Sequence, residues 1–332
     1  MIISKIIGTG SYAPPRVLKN QDMEKMVDTS DDWIATRTGI KERRITDGET
    51  TNDIAIKAAK NALKAADIPP KDIDLIVAGT VTPEMLFPST ACFVQAHIGA
   101  NRGIPAFDVS AACSGFLYAL DVADKYIRGG ISKKAIVIGV DIFSNIIDWE
   151  DRNTCVLFGD GAGAVVLSAK KGRNAHTKRG LSGILSTHIH ADGHYWKMLY
   201  TPLGLSSSPF HNKIAGKPYL KMQGNETFKI AVRTMGEACQ EALDYNGLKA
   251  EDVSLLIPHQ ANMRIIKATA ARLGLPEEKV YINLDRYGNT SAGSIPLALD
   301  EAVKKGKIKR GDIILFVAFG GGLTWASALV RW

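Results

Sequence analysis

Residues 54–77 read IAIKAAKNALKAADIPPKDIDLIV, and they decide the fold because the chain repeats them in diverged form. Residues 234–257 read TMGEACQEALDYNGLKAEDVSLLI; at a constant offset Ala62-Leu63 meets Ala242-Leu243, and DIDLIV meets DVSLLI. Each copy carries apolar residues three and four apart, then a polar turn, then a short apolar run, a pattern that predicts an amphipathic helix leading into a buried strand. Further on, YIRGGISKKAIVIG (126–139) answers VKKGKIKRGDIILF (303–316) as helix end, glycine turn and strand, and FGDGAGAVVLS (158–168) answers FGGGLTWASALV (319–330). The polar segment AKKGRNAHTKRG (169–180) reads as the linker, which gives an N-terminal half over 1–172 and a C-terminal half over 173–332. Two similar α/β units pack most economically as layered sheets with helices between and outside, related by a pseudo-twofold axis. A site at their junction draws residues from both copies.

Composition bounds the rest. A chain of 332 residues with 45% hydrophobic and 23% charged content buries a large core. The longest apolar runs, such as IILFVAF at 313–319, fall short of the ~18 residues of a membrane span. The start, MIISKIIGTGSYAPP, lacks the unbroken apolar segment of a secretory signal, so a cytoplasmic protein off the membrane is expected. Cys92, Cys113, Cys155 and Cys239 form no C-x-x-C pair, which argues against a disulfide framework or a zinc knuckle. The net charge of +7 favours acidic partners. Its clusters KERR (41–44) and KKGKIKR (304–310) have no interleaved aromatics and read as solvated surface rather than a nucleic-acid contact.

Three residues stand out by position. Cys113 lies in DVSAACSGF (108–116), between the predicted strand IPAFDV and the predicted helix FLYALDVADKYI. Free backbone N–H groups and the positive end of the dipole at such a helix start favour a thiolate and lower the thiol pKa, although free cysteine is also among the residues most often simply buried. The same surroundings let the Cys113 amide face a developing oxyanion. Cys92, Cys155 and Cys239 sit in apolar-periodic contexts and read as packing. His259 follows the strand LLIP, at the carboxyl end where open α/β sheets place their chemistry; a lone histidine is also commonly structural. The helix after it puts Arg264, Ala268 and Arg272 on one exposed basic stripe. Asn289 sits in RYGNTSAGSIPLALDEA, where Gly288-Asn289 suits a tight turn and a helix follows; a turn asparagine need be nothing more.

Other patterns weigh less. GDGAGA (159–164) fits a dinucleotide fingerprint in form but runs into the strand pattern VVLSA with no acidic residue at the required distance. THIHADGH puts His188 and His190 on one strand face near Asp192 and His194; no closed ligand set is evident, so no metal is assigned. FGGGLTW (319–325) lines up bare backbone N–H groups after a core strand, either as an anion cradle or for close packing.

Taken together with TSDDWIATRTGIKERRI, FPSTAC, DRNTCVLFGDGAGAVVL, STHIHADG, PHQAN followed by RII, YGNTSAGSIPLAL and AFGGGLTWASALVRW, these motifs resemble the β-ketoacyl-[acyl carrier protein] synthase III family of the thiolase-like superfamily, in order and over nearly the whole chain. The resemblance implies a five-layered α-β-α-β-α fold of two pseudo-twofold halves, and a homodimer. It implies a decarboxylative condensation of a short acyl-CoA with malonyl-[acyl carrier protein] that starts fatty acid synthesis and needs no cofactor. Cys113 is then the nucleophile, His259 and Asn289 the hydrogen-bond donors, and the backbone N–H groups of Cys113 and Gly321 the oxyanion hole. Trp33 and Arg152 match residues that sandwich the adenine of CoA, Arg37 a phosphate contact, and Arg264 a contact with the acidic carrier protein. Phe87 matches a residue that crosses the dimer interface to the partner's acyl pocket, while Phe143, Phe158, Leu199 and Leu220 are expected pocket liners. Two rivals remain on sequence alone: an acyl-transferring relative in secondary metabolism, and an inactive scaffold that binds carrier protein. Segment 201–220 carries no assignment, so the starter group stays open.

Overall fold

A computed structural model describes residues 2–171, 182–202 and 219–332. The main elements of the first half are β1 (Ile2–Tyr12), α1 (Asp31–Thr38), α2 (Thr51–Ala66), β2 (Leu75–Gly79), α3 (Thr90–Ile98), β3 (Ala106–Val109), α4 (Gly115–Arg128), β4 (Lys134–Ile142) and β5 (Asp160–Lys171). Those of the second are β6 (Gly183–Ala191), α5 (Gly224–Asn246), β7 (Leu255–Pro258), α6 (Met263–Arg272), α7 (Ser294–Lys304), β8 (Ile313–Gly320) and β9 (Thr324–Arg331). The repeated stretches are α2 with β2 and the end of α5 with β7, each joined by a single 3₁₀ turn.

Local chemistry sets these boundaries. Thr50 caps α2 by accepting from the N–H of Asp53, whose carboxylate accepts from the Thr50 N–H in return. Asp67, in the left-handed region at φ 51°, ends the helix before Pro69-Pro70. The face of α2 that carries Ile54, Ala55, Ala58, Ala59, Ala62 and Leu63 is buried. GDGAGAVVLS opens β5, the strand that its pattern predicts, and so makes no dinucleotide turn.

The two sheets share one plan. The first has the order β1-β5-β4-β2-β3 and the second β6-β9-β8-β7. In both, the two strands at one side run antiparallel to their neighbours and the later pairs run parallel. Where the first sheet has β3, the second has a parallel bridge from Val280 to Leu256. Helices α4 and α7 lie between the sheets in one core, with Leu117, Leu120 and Ile127 of α4 and Ile295, Ala298 and Leu299 of α7 packed against both. Helices α2 and α3 cover the outer face of the first sheet, and α5 and α6 that of the second. This is the five-layered, thiolase-like arrangement. Because both faces of β4 are covered, Val137 points to the central core and Ile136 and Ile138 to the outer one, so the strand reads as a continuous apolar run. The half boundary expected at residue 172 and most of the expected linker lie outside the described residues.

The halves meet most closely where α4 and α7 begin. A Cβ on Gly139 of β4 would stand 2.1 Å from the Ala292 carbonyl oxygen, so no larger residue fits there. Two residues on, the fully buried Asp141 accepts from the Val81 N–H at 2.8 Å, from the Thr80 and Thr82 hydroxyls at 3.1 and 3.0 Å, and from the Ala292 N–H at 3.2 Å. Burial raises its pKa and these bonds work against that rise. The carboxylate thus ties the turn after β2 to the start of the opposite half's central helix. Asp141→Ala leaves these donors buried without an acceptor and is expected to cost about 3 kcal/mol of stability. Urea unfolding with an unchanged m value measures this; a loss below about 1 kcal/mol would show the tie to be dispensable.

One charge assignment needs correction. Arg43, part of the cluster expected at the surface, is fully buried. Its guanidinium donates to the carbonyls of Leu18 and Val156 and to Asn20 Oδ1, at 3.2, 2.8 and 3.0 Å. It serves the loop under Gly288, whose Cβ position lies 3.1 Å from the Arg43 Cβ. These three bonds offset part of the cost of burying the cation; the Arg43 Nε has no partner among the described residues, and burial lowers the pKa to about 10. The second cluster is solvated, with Lys304 and Lys305 paired to Asp300 and Glu301 along α7.

Candidate active site

Each element that presents Cys113 is explained by tight packing. The chain leaves β3, passes Ala112 at φ +45°, and enters a 3₁₀ turn over Ala112–Ser114 before α4. Ser291 takes the same unusual backbone, φ +48°, in the matching turn Ser291–Gly293 before α7. The two turns face each other across the pseudo-twofold axis, and Ser291 Oγ lies 3.4 Å from Cys113 Sγ. On the other side, a Cβ on Gly320 would approach the Cys113 backbone nitrogen to 2.7 Å, which requires glycine at the end of β8.

His259 and Asn289 arrive from the second half. The His259 N–H donates to the Val317 carbonyl at 2.8 Å, which carries the β7–β8 ladder one residue further, and its ring is buried. Asn289 is anchored by the first half: its N–H donates to the Leu157 carbonyl, and its carbonyl accepts from Gly159, at 2.9 and 3.0 Å. Its Oδ1 accepts the Ser291 N–H at 2.8 Å. Of the predicted turn pair only Gly288 takes a positive φ, of 64°.

Cys113, His259 and Asn289 line one cavity of about 170 Å³, together with Phe228, Ile265 and Phe319. Cys113 also lines a second cavity, of about 290 Å³, with Gly321, Phe143, Phe158, Leu199 and Leu220. Phe143 and Phe158 stack there at 4.8 Å between ring centroids. Cys113, Phe158 and Leu199 belong to both cavities, so the thiol stands between two chambers, one of which also holds His259 and Asn289.

The electrostatics differ from expectation at the thiol. Burial pushes the Cys113 pKa up to about 12, helped by the nearby Asp141, while the Ser291 hydroxyl and the Cys113 N–H pull it down. Desolvation outweighs the helix start, because a buried thiolate loses more hydration than these donors return. Burial likewise lowers the His259 pKa to about 3, so the imidazole is neutral at physiological pH.

The remaining residues fall into separate groups. Trp33 and Arg37 lie on α1, and Trp33 is flanked by the guanidinium groups of Arg37 and Arg152, at 4.6 and 4.9 Å from the ring centroid. Asn262, which lines the cavity of His259 and Asn289, donates to the Arg37 carbonyl at 3.2 Å and so joins this cluster to the cavity. Arg264 is exposed on α6, 5.3 Å from the Phe228 ring. Phe87 lines neither of these two cavities; it is 81% exposed, beside Leu86 at 68% and Met85 at 39%. His188 and His190 are held by Glu241, at 3.4 and 2.7 Å, and His194 by Asp192. Among the described residues no group of three or more His, Cys, Asp or Glu side chains is arranged to hold a metal.

Three side chains at the site are not singled out by sequence: Asp141, Ser291 and Ser294. A carboxylate inside the apolar run AIVIGVDI is the available signal for the first. The serines have none, since small polar residues after a turn are unremarkable in sequence.

Comparison with known proteins gives a consistent answer. Residues 107–193 match the family described as 3-oxoacyl-[acyl-carrier-protein] synthase III, and residues 243–332 match its C-terminal part. The beta-ketoacyl-[acyl-carrier-protein] synthase III of Xanthomonas campestris pv. campestris is 54% identical over 332 residues, covering 100% of this chain and 99% of the relative. That of Aquifex aeolicus is 54% identical over 329 residues, 99% of each chain. The crystal structure of the 3-oxoacyl-[acyl-carrier-protein] synthase III from Aquifex aeolicus superposes with a TM-score of 0.90 at 53% identity, over 99% of this chain and 100% of the other.

Proposed function

The chain belongs to the 3-oxoacyl-[acyl-carrier-protein] synthase III family, and from that premise we propose that Cys113, His259 and Asn289 divide its chemistry into a nucleophile from one half and two donors from the other. The protein is a condensing acyltransferase: it joins a short acyl-CoA to malonyl-[acyl carrier protein], releases CoA and CO₂, and forms the 3-oxoacyl-[acyl carrier protein] that starts fatty acid synthesis.

In the first half-reaction the Cys113 sulfur attacks the acyl-CoA carbonyl, and the backbone N–H groups of Cys113 and Gly321 receive the oxyanion. The tetrahedral intermediate collapses, CoA leaves with the thiol proton, and the acyl chain lies against the apolar side chains of Phe143, Phe158, Leu199 and Leu220 in the second cavity. In the second half-reaction, malonyl thioester enters the cavity that holds His259 and Asn289. Its carboxylate departs as CO₂, the electron pair passes to the thioester enolate, and His259 and Asn289 donate hydrogen bonds to the enolate oxygen. The α-carbon then attacks the acyl-Cys113 carbonyl and expels the Cys113 thiolate, which takes up a proton. The observation that carries this division is the single cavity lined by Cys113, His259 and Asn289. An assay that follows acyl-CoA, malonyl-[acyl carrier protein] and CO₂ together tests it: CO₂ and 3-oxoacyl product in equal amounts support the scheme, and CO₂ without condensed product contradicts it.

For binding, Trp33 and Arg152 hold the adenine of CoA between them and Arg37 holds a phosphate. Arg152 rests on the indole, so an inserted base moves its guanidinium outward by one ring thickness, about 3.5 Å. A second copy of the chain covers Met85, Leu86 and Phe87, whose exposure supports a homodimer. The free cysteines suit a reducing cytoplasm, and among the described residues no helix is long and apolar enough to cross a membrane.

The acidic carrier protein docks on the exposed face of α6 at Arg264. Arg264→Glu is expected to lower kcat/KM for malonyl-[acyl carrier protein] about 10- to 100-fold, while acyl-CoA loading stays within about twofold. Steady-state rates with carrier-bound malonate and with acyl-CoA, measured side by side, check this. A parallel fall in both would make Arg264 structural.

A further inference from the structure

We propose that Ser294 sets the tautomer of His259, and so makes that histidine a hydrogen-bond donor to the reacting thioester; this rests on the role given to His259 above. A neutral imidazole carries one proton for two nitrogens, and it donates from Nε2 only when Nδ1 is bare. The burial of His259, which holds it neutral, removes the option of protonating both. Its tautomer is therefore decided by whatever faces Nδ1.

Ser294 faces it. The Ser294 Oγ lies 2.7 Å from His259 Nδ1, and both residues are buried. A hydroxyl can act either way, as donor to a bare Nδ1 or as acceptor from a protonated one. The other partner of that hydroxyl settles the direction: the Gln260 N–H, 3.4 Å from the same Oγ, can only donate. Among the described residues Nδ1 is then the one acceptor bonded to the buried hydroxyl, and donating to a bare Nδ1 satisfies the Ser294 proton, which leaves the imidazole proton on Nε2. With the Nδ1 edge turned to the first residue of α7, the Nε2 edge is the part of the ring left for the cavity that His259 lines.

Asn289 is oriented by a device of the same kind. Its Oδ1 is taken by the Ser291 N–H, so its NH₂ is the end left to donate. One short segment, residues 289–294, therefore supplies one donor and polarises both. Ser294 is a positioning residue: it acts on the thioester through the imidazole.

The test combines spectroscopy with a split of the two half-reactions. In protein labelled with ¹⁵N-histidine, long-range ¹H–¹⁵N spectra should show His259 of the native chain protonated at Nε2. In Ser294→Ala the tautomer protonated at Nδ1 should appear, malonyl decarboxylation should fall about 10- to 100-fold, and covalent loading of Cys113 should stay within about twofold. Ser294→Thr, which keeps the hydroxyl, should recover part of the loss. A native His259 protonated at Nδ1, or native decarboxylation in Ser294→Ala, would overturn the proposal for Ser294 alone. A His259→Ala chain that decarboxylates malonate at the native rate would instead remove the role given to His259 itself.

Discussion

Cys113→Ala is expected to abolish covalent loading and to lower condensation by about 10⁴-fold or more, because Cys113 is the one thiol among the described residues that line the two cavities. The other buried thiols do not substitute: neither Cys155 nor Cys239 lines either cavity, and Cys239 is sealed in the outer core of the second half. Incubated with labelled acetyl-CoA, the native chain should gain one acetyl group by intact mass, mapped to Cys113, and the variant none. An acetyl group of equal occupancy on Cys113→Ala would remove the nucleophile from the scheme. The raised thiol pKa sharpens the expectation. A buried thiol held near 12 is mostly protonated at rest, so its attack depends on donors that act only as charge develops: the α4 start and the Ser291 hydroxyl.

Asn289→Ala separates the two steps. Acyl loading, which uses the thiol and backbone N–H groups, should remain within about twofold of native. Decarboxylation, which loses one of two donors to the enolate oxygen, should fall by about 10²- to 10³-fold. Release of labelled CO₂ from malonyl-[acyl carrier protein], measured beside the loading rate, gives both numbers. A comparable fall in both rates would mean that Asn289 supports the architecture instead. That outcome has a physical basis, because its backbone bonds to Leu157 and Gly159 pin the turn to the first half. Alanine retains those backbone bonds, so the substitution isolates the amide.

Much of the fold and the site is legible in the amino-acid order alone. The repeat centred on Ile54–Val77 and Thr234–Ile257 survives because each copy must form the same helix and the same doubly buried strand, and these demands fix apolar spacing even as the residues drift. Cys113, His259 and Asn289 are visible because turns and strand ends punctuate sequence strongly. What sequence conceals is what depends on the third dimension. Arg43 looks like a surface cation, and its burial depends on acceptors distant in sequence, the carbonyls of Leu18 and Val156 and the Asn20 side chain. The lowered pKa expected at Cys113 follows from its helix start, but the water excluded by the opposite half weighs more and raises it. Ser291 and Ser294 acquire their roles from a turn that faces its pseudo-twofold mate, a relation no local pattern records.

The most direct test of the central claim is a crystal structure of the acetylated enzyme with a malonyl thioester analogue that cannot lose CO₂. The analogue's thioester oxygen is expected at about 2.7–3.1 Å from both His259 Nε2 and Asn289 Nδ2, with its α-carbon facing the acetyl group on Cys113. A thioester oxygen bonded elsewhere, with either side chain turned from it, would contradict the shared site.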